Sequence, residues 1–324
     1  MRLLYIDKLK AFAMLMVVWG HTMYFCIYHE HTDTFDPLLG TVCTFHVPLF
    51  FFLSGVVISS APDIRKFLVK ARRFMLPMFV VGFVNALLIG EVKNFFIDGG
   101  HNGYWYLLTL TLFYLLLVPF NRIGRTRRSF IIDALLALTI WIAARLATGI
   151  HPPAALNIGG VFQYWPYFVI GYICRKYSLL RFVTGRPWLT VALILAYVAM
   201  LLALTPQLST ATVPEASASG APSSQPPPLI LEYAIALMAI AALVSLFFHF
   251  SDNRTFIDRQ LLLIGNSTLD IYIYHYFFIR FINLEFLKTQ SLTVEAAVTA
   301  TLTVTITYGS IAIGRAIDRI IQKT

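Results

Sequence analysis

Charge is scarce in this 324-residue chain. Only 13% of its residues are Asp, Glu, Lys or Arg, while 58% are hydrophobic, and the mean hydropathy is +0.72. A soluble domain keeps about a quarter of its residues charged, so that class is excluded. Lipid is the remaining solvent, and there only helices and closed barrels satisfy every backbone group. The alternation of apolar and polar residues that marks a barrel is also missing, because the apolar runs are continuous. An all-α membrane bundle is what this composition predicts.

Acid is scarcer than base, with 16 Asp and Glu against 25 Lys and Arg, a net charge of +9. The surplus does not point to nucleic acid, since the basic residues stand in short blocks between apolar segments, where topology puts them. Cysteine is nearly absent. Cys26, Cys43 and Cys174 show no metal-ligand spacing, so no metal is expected. Cys26 and Cys43 fall near one face of the membrane, which leaves a disulfide open beside the commoner case of two small buried thiols. There is no P-loop and no dinucleotide fingerprint, so nothing argues for ATP-driven transport. No internal repeat or soluble domain interrupts residues 1–324, which read as a single transmembrane domain.

Ten apolar segments are present, at about 9–28, 42–60, 74–91, 104–120, 130–148, 160–174, 188–205, 229–250, 264–284 and 294–314. Each is long enough to cross a bilayer, or nearly so with tilt. Arg2, Lys8 and Lys10 before the first segment mimic a signal peptide, but no small-x-small site follows, so an uncleaved span is expected. Basic blocks occupy every second connection and hold 21 of the 25 Lys and Arg. The positive-inside rule then predicts both termini in the cytoplasm of a multi-pass protein of the inner cell membrane. Residues 206–228, PQLSTATVPEASASGAPSSQPPP, are small, polar and proline-rich, the composition of a flexible external loop.

Ionisable groups inside lipid are costly and face a cavity, a partner or a substrate path. The first segment carries KAFAMLMVVWGH, from Lys10 to His21. Eleven positions are close to three helical turns, so both groups share a face, with Asp7 able to pair with Lys10. Two readings are open for each. Lys10 either snorkels to the headgroups or serves the reaction. His21 either bonds a neighbouring helix or takes a proton from a hydroxyl, a role that suits a neutral imidazole.

Segment two, TFHVPLFFFLSG, places His46 at a depth similar to His21, with Pro48 positioned to bend the helix and Ser54-Gly55 permitting close approach. Lys70, Arg72 and Arg73 precede segment three. They are either topogenic charge or a phosphate site. Segment nine contains Asp270, His275 and Arg280. Arg280 would hold a substrate oxyanion or carboxylate, or else pair with Glu232 or reach the headgroups. Trp105 is a belt residue or a sugar platform.

In order, YIDKLKAFAMLMVVWGH, FHVPLFFFLSG, KARRFMLP, GYWYLL, YFVIGYICRK and LLLIGNSTLDIYIYHYFF resemble the motifs of the acyltransferase-3 family, integral membrane enzymes that acylate envelope sugars. The resemblance covers nearly the whole chain. It departs at Lys10, where many members have arginine, as in those resembling fucose acetyltransferases, and at Lys70-x-x-Arg73, where Arg72 would compensate. No appended esterase-like domain is expected.

The resemblance implies O-acetyl transfer from acetyl-CoA to a hydroxyl of a glycan or lipid-linked sugar, with membrane lipids as surroundings and no nucleic acid. His21, Lys10 and His46 would be catalytic. Lys70, Arg72 and Arg73 would hold the CoA phosphates. Trp105, Asp270, His275 and Arg280 would meet the acceptor. His21 would act as general base or carry the acyl group itself. The rival class, a transporter of a small solute or glycan precursor, would use the same buried charges.

Overall fold

The computed structural model describes residues 3–28, 37–98, 101–208, 229–250 and 255–321. Among them every regular element is helical. The chain forms two compact units: residues 1–50 with 183–324, and residues 51–182.

The first unit is built on α1 (Leu4–His21), which runs directly into a π-helical segment (Thr22–Ile27). The short α2 (Pro37–Cys43) follows, and α3 (His46–Val56) carries the chain towards the second unit. Four further members return later: α9 (Pro187–Leu208), α10 (Leu229–Phe248), the pair α11 (Phe256–Asn266) and α12 (Thr268–Ile279), and α13 (Leu292–Ile321). Within this unit α1 packs against α10, α11, α12 and α13. Gly265 explains how closely α11 approaches: a Cβ there would lie 2.1 Å from the Asp7 carbonyl oxygen, so only glycine fits.

The second unit holds α4 (Ile64–Leu88), α5 (Val92–Ile97), α6 (Trp105–Leu116), α7 (Arg127–Thr148) and α8 (Ile158–Lys176). The end of α3 crosses α8 through two glycines. A Cβ on Gly55 would sit 2.0 Å from Phe168 O, and one on Gly171 would sit 2.1 Å from Phe52 O. This is the close small-residue contact expected of Gly55. Aromatic rings fill the centre, with Phe51, Tyr106, Phe113, Trp165 and Phe168 in mutual contact.

Among the described residues, six helical stretches are long and apolar enough to span a bilayer: 4–27, 38–56, 105–122, 127–148, 229–248 and 292–320. On α7, Ile131, Leu135, Leu138, Ile142 and Leu146 form an exposed stripe at helical spacing, a surface that lipid tolerates and water does not. The protein is a multi-pass helical membrane protein.

Segments two and nine differ in detail from expectation. Segment two breaks at Thr44-Phe45, because Pro48 has no N–H to give the Thr44 carbonyl and its ring crowds that group. Segment nine breaks at Ser267, after Gly265-Asn266, residues with little helical preference. It also ends at Ile279, so Arg280 caps α12 instead of lying within a helix. The expected loop 206–228 lies outside the described residues, except 206–208, which finish α9. None of the three cysteines is in a disulfide. Cys26 is buried with its thiol 3.4 Å from Ile279 O, while Cys43 is exposed, so neither the disulfide nor the pair of buried thiols is found.

Candidate active site

His21 is the last residue of α1 and the π segment begins beside it. A π turn inserts one residue into the helical ladder. Such turns are rare and recur at functional positions, because they reorient the side chains that follow. Gly20 brings the backbone near the break in segment two: a Cβ there would meet Val42 Cγ1 at 3.6 Å and His46 Nε2 at 3.9 Å. His46 opens α3, and its Nδ1 donates to Val42 O at 2.8 Å. His46 and Arg280 both lie within electrostatic reach of His21.

The decisive geometry is a histidine pair. His21 Nδ1 lies 2.9 Å from His275 Nε2, and the rings are nearly parallel, with centroids 5.2 Å apart. His275 is fully buried, and its Nδ1 lies 3.0 Å from Ile271 O. A carbonyl only accepts, so His275 Nδ1 carries the proton. In the neutral ring Nε2 is then an acceptor, and His21 Nδ1 must donate to it. His21 therefore keeps its lone pair on Nε2. This chain of hydrogen bonds sets the tautomer of His21 without help from a carboxylate. Phe25 and Tyr276 pack around the imidazole at 5.8 and 5.3 Å between centroids.

His275, expected to meet the acceptor, has both ring nitrogens engaged within the protein and has none left for a substrate. The other expected residues spread out. Lys10 pairs with Asp7 at 3.2 Å, as its spacing predicts, and lies about 16 Å along α1 from His21. Asp270 stands in the first turn of α12, against Gly314 of α13, about 7–8 Å of helical rise from His275. Arg280 caps the other end of α12, with its guanidinium 5.4 Å from the Phe25 ring centre. No ion pair joins it to Glu232 among the described residues.

In the second unit, Lys70 and Arg73 share a face of α4, and Arg72 projects about 160° away from Lys70. It lies about 100° from Arg73 around the helix. The Lys70 ammonium is held below the usual lysine range, by partial burial first and by the Arg73 charge second. Trp105 stacks on Tyr164 at 5.4 Å and touches Phe51, so one face of the indole is covered inside the unit.

A family model described as an acyltransferase domain, acyltransferase family 3, matches residues 3–315. The chain belongs to this family. It is a membrane acyltransferase. No curated protein and no solved structure matches it.

The acyltransferase also contains polar clusters that the sequence reading passed over. Lys8, read only as topogenic charge, is fully buried. Its ammonium donates to Asp258 Oδ1 at 2.5 Å and to Phe250 O at 2.6 Å. Asp258 is also the N3 residue of a capping box with Thr255, a T-x-x-D signature visible in the sequence. These bonds, Lys8 first, pull the Asp258 carboxyl down to about 2. In the second unit Lys176 meets Asp133 at 2.7 Å, with Tyr177 donating to the same oxygen at 2.8 Å. No local pattern links positions 43 apart, so nothing in the sequence announced that pair.

Proposed function

We propose that the acyltransferase moves a short acyl group, acetyl above all, from cytoplasmic acyl-CoA to a hydroxyl of an envelope or exported glycan. The observation that carries this reading is the His21–His275 hydrogen bond, which leaves His21 Nε2 as a base in the span. In this mechanism His21 Nε2 takes the proton of the acceptor hydroxyl as the oxygen attacks the thioester carbonyl. His275 meanwhile keeps the other proton on Nδ1. The tetrahedral adduct collapses, the C–S bond breaks, and the CoA thiolate takes the proton from His21. Products are the ester and CoA thiol, with His21 returned to its starting form. Base assistance of this kind is worth about 10²–10⁴ in rate.

Lys70, Arg72 and Arg73 are the proposed holders of CoA phosphates, and Lys10 would help align the donor. His46 would support the pocket beside Gly20. Trp105, Asp270 and Arg280 are the remaining candidates for acceptor contacts. The proposed topology has about ten crossings, a single domain over residues 1–324, and both termini in the cytoplasm, supported by the alternation of basic blocks.

Mass spectrometry of envelope glycans tests the function. Cells with the gene should carry one extra acyl group that is lost on deletion. That group should not return when His21→Ala is supplied at wild-type protein level. Full acylation by His21→Ala would remove His21 from the chemistry.

A further inference from the structure

Among the described residues, Arg280 is a cation without a counter-ion. Its Nε is buried and has no hydrogen-bond partner. Among the described residues of its unit, no carboxylate forms an ion pair with it: Asp7 holds Lys10, Asp258 holds Lys8, Glu285 holds Lys288, and Glu295 accepts from Tyr28. Asp270 stands at the opposite end of α12. What supports the guanidinium is the Phe25 ring at 5.4 Å and the C-terminus of α12, which it caps. Both are weak attractions for a charge set into a membrane protein, and neither supplies the two parallel acceptors that a guanidinium fork fits.

The position is as telling as the chemistry. Phe25 lies under the guanidinium and also packs edge-on against His21. Arg280 follows His275 by five residues, about 7–8 Å of helical rise, and its charge reaches His21. With Phe25 5.4 Å from the guanidinium and 5.8 Å from the His21 ring, the two groups stand at most about 11 Å apart, a span that one substituted sugar residue bridges with a hydroxyl at His21 Nε2 and a charged substituent at Arg280. The donor does not fit this place equally well, because an acetyl thioester is neutral at its reacting end.

We propose that the acceptor is anionic: the sugar that receives the acyl group carries a phosphate or carboxylate, on the ring or at its adjoining linkage, and Arg280 binds that anion. The proposal rests on the acyl-transfer reading above and names the class of its acceptor.

The test uses the full-length protein in its own cells. The acylated sugar residue is isolated and its structure determined by tandem mass spectrometry. A phosphate, pyrophosphate or carboxylate on that residue or its adjoining linkage is the expected result. A neutral residue in a neutral linkage overturns the proposal. A dicarboxylic acyl group on a neutral residue also overturns it, by giving Arg280 to the donor. If deletion of the gene changes no acyl group, the acyl-transfer reading falls and the proposal falls with it.

Variants add a second measurement. Arg280→Gln should lower acylation roughly tenfold or more at equal membrane level, through a raised KM for acceptor and an unchanged KM for acyl-CoA. Arg280→Lys should restore part of it. Wild-type acylation by Arg280→Gln overturns the assignment even if the product is anionic.

Discussion

Buried charge is met in two ways: Lys176 of the second unit, like Lys8 of the first, faces a carboxylate, whereas His21 and Arg280 of the first face none among the described residues. In the second unit, Lys176, Asp133 and Tyr177 close on one another, and Lys176 also donates to Ile123 O. A cation meets an anion and the charge is cancelled within the protein. In the first unit, His21 leans on a second imidazole and Arg280 on an aromatic ring, with no anion paired to either among the described residues. A buried pair that cancels itself needs only to keep its geometry. A set that leaves a lone pair and a positive charge unanswered is suited to receive a hydroxyl and an anion. The lesson is that burial of ionisable groups does not by itself mark a site; incomplete compensation does.

The contrast can be broken most sharply at His275. His275→Ala should remove the acceptor that holds the His21 proton on Nδ1 and reduce transfer by about 10²–10⁴, while His275→Gln, whose side-chain oxygen can accept that proton, should restore part of it. Rates measured in isolated membranes at equal protein level check this. Equal loss in both variants would reduce His275 to a packing residue.

Asp133→Ala should act on the other kind of cluster. It strands a buried ammonium, at a cost of about 3–5 kcal/mol, and should appear as lost folded protein, not as a defect per folded molecule. Replacing both partners, Asp133→Leu with Lys176→Met, should recover most of the yield. A smaller effect is expected at Lys10, whose pair with Asp7 is partly exposed and worth less than about 1 kcal/mol. Lys10→Ala should leave the fold intact and raise the KM for acyl-CoA; unchanged kinetics would exclude it from the donor path.

The smallest effect is a pH dependence at Asp258. Its carboxyl titrates at about 2, below the ordinary value near 4, because the folded state favours the charged form. The stability it contributes is therefore complete above about pH 4 and is lost as pH falls through about 2. Thermal unfolding in detergent between pH 5 and 2 should show this loss, and Asp258→Asn should flatten that part of the curve.

Much of the frame could be read along the chain. Hydropathy and basic blocks announced a helical membrane protein, and the regular spacing from Lys10 to His21 identified the residue on which the proposed chemistry turns. Asp7 with Lys10, three positions apart, was legible for the same local reason. The breaks were harder. Pro48 signalled a bend, yet the stop at Thr44-Phe45 depended on which carbonyl its ring would crowd, and Ser267 interrupted a run that hydropathy alone reads as continuous.

The sequence by itself determined the solvent, the helical class and the candidate polar residues, because these follow from composition and from periodicity within one helix. Only the tertiary structure decided which of them meet. His21 and His275 are 254 positions apart, and Lys8 reaches Asp258 across a similar gap. Such encounters arise when helices pack, and packing depends on matched shapes such as the groove that Gly265 opens for Asp7, which no stretch of chain encodes alone.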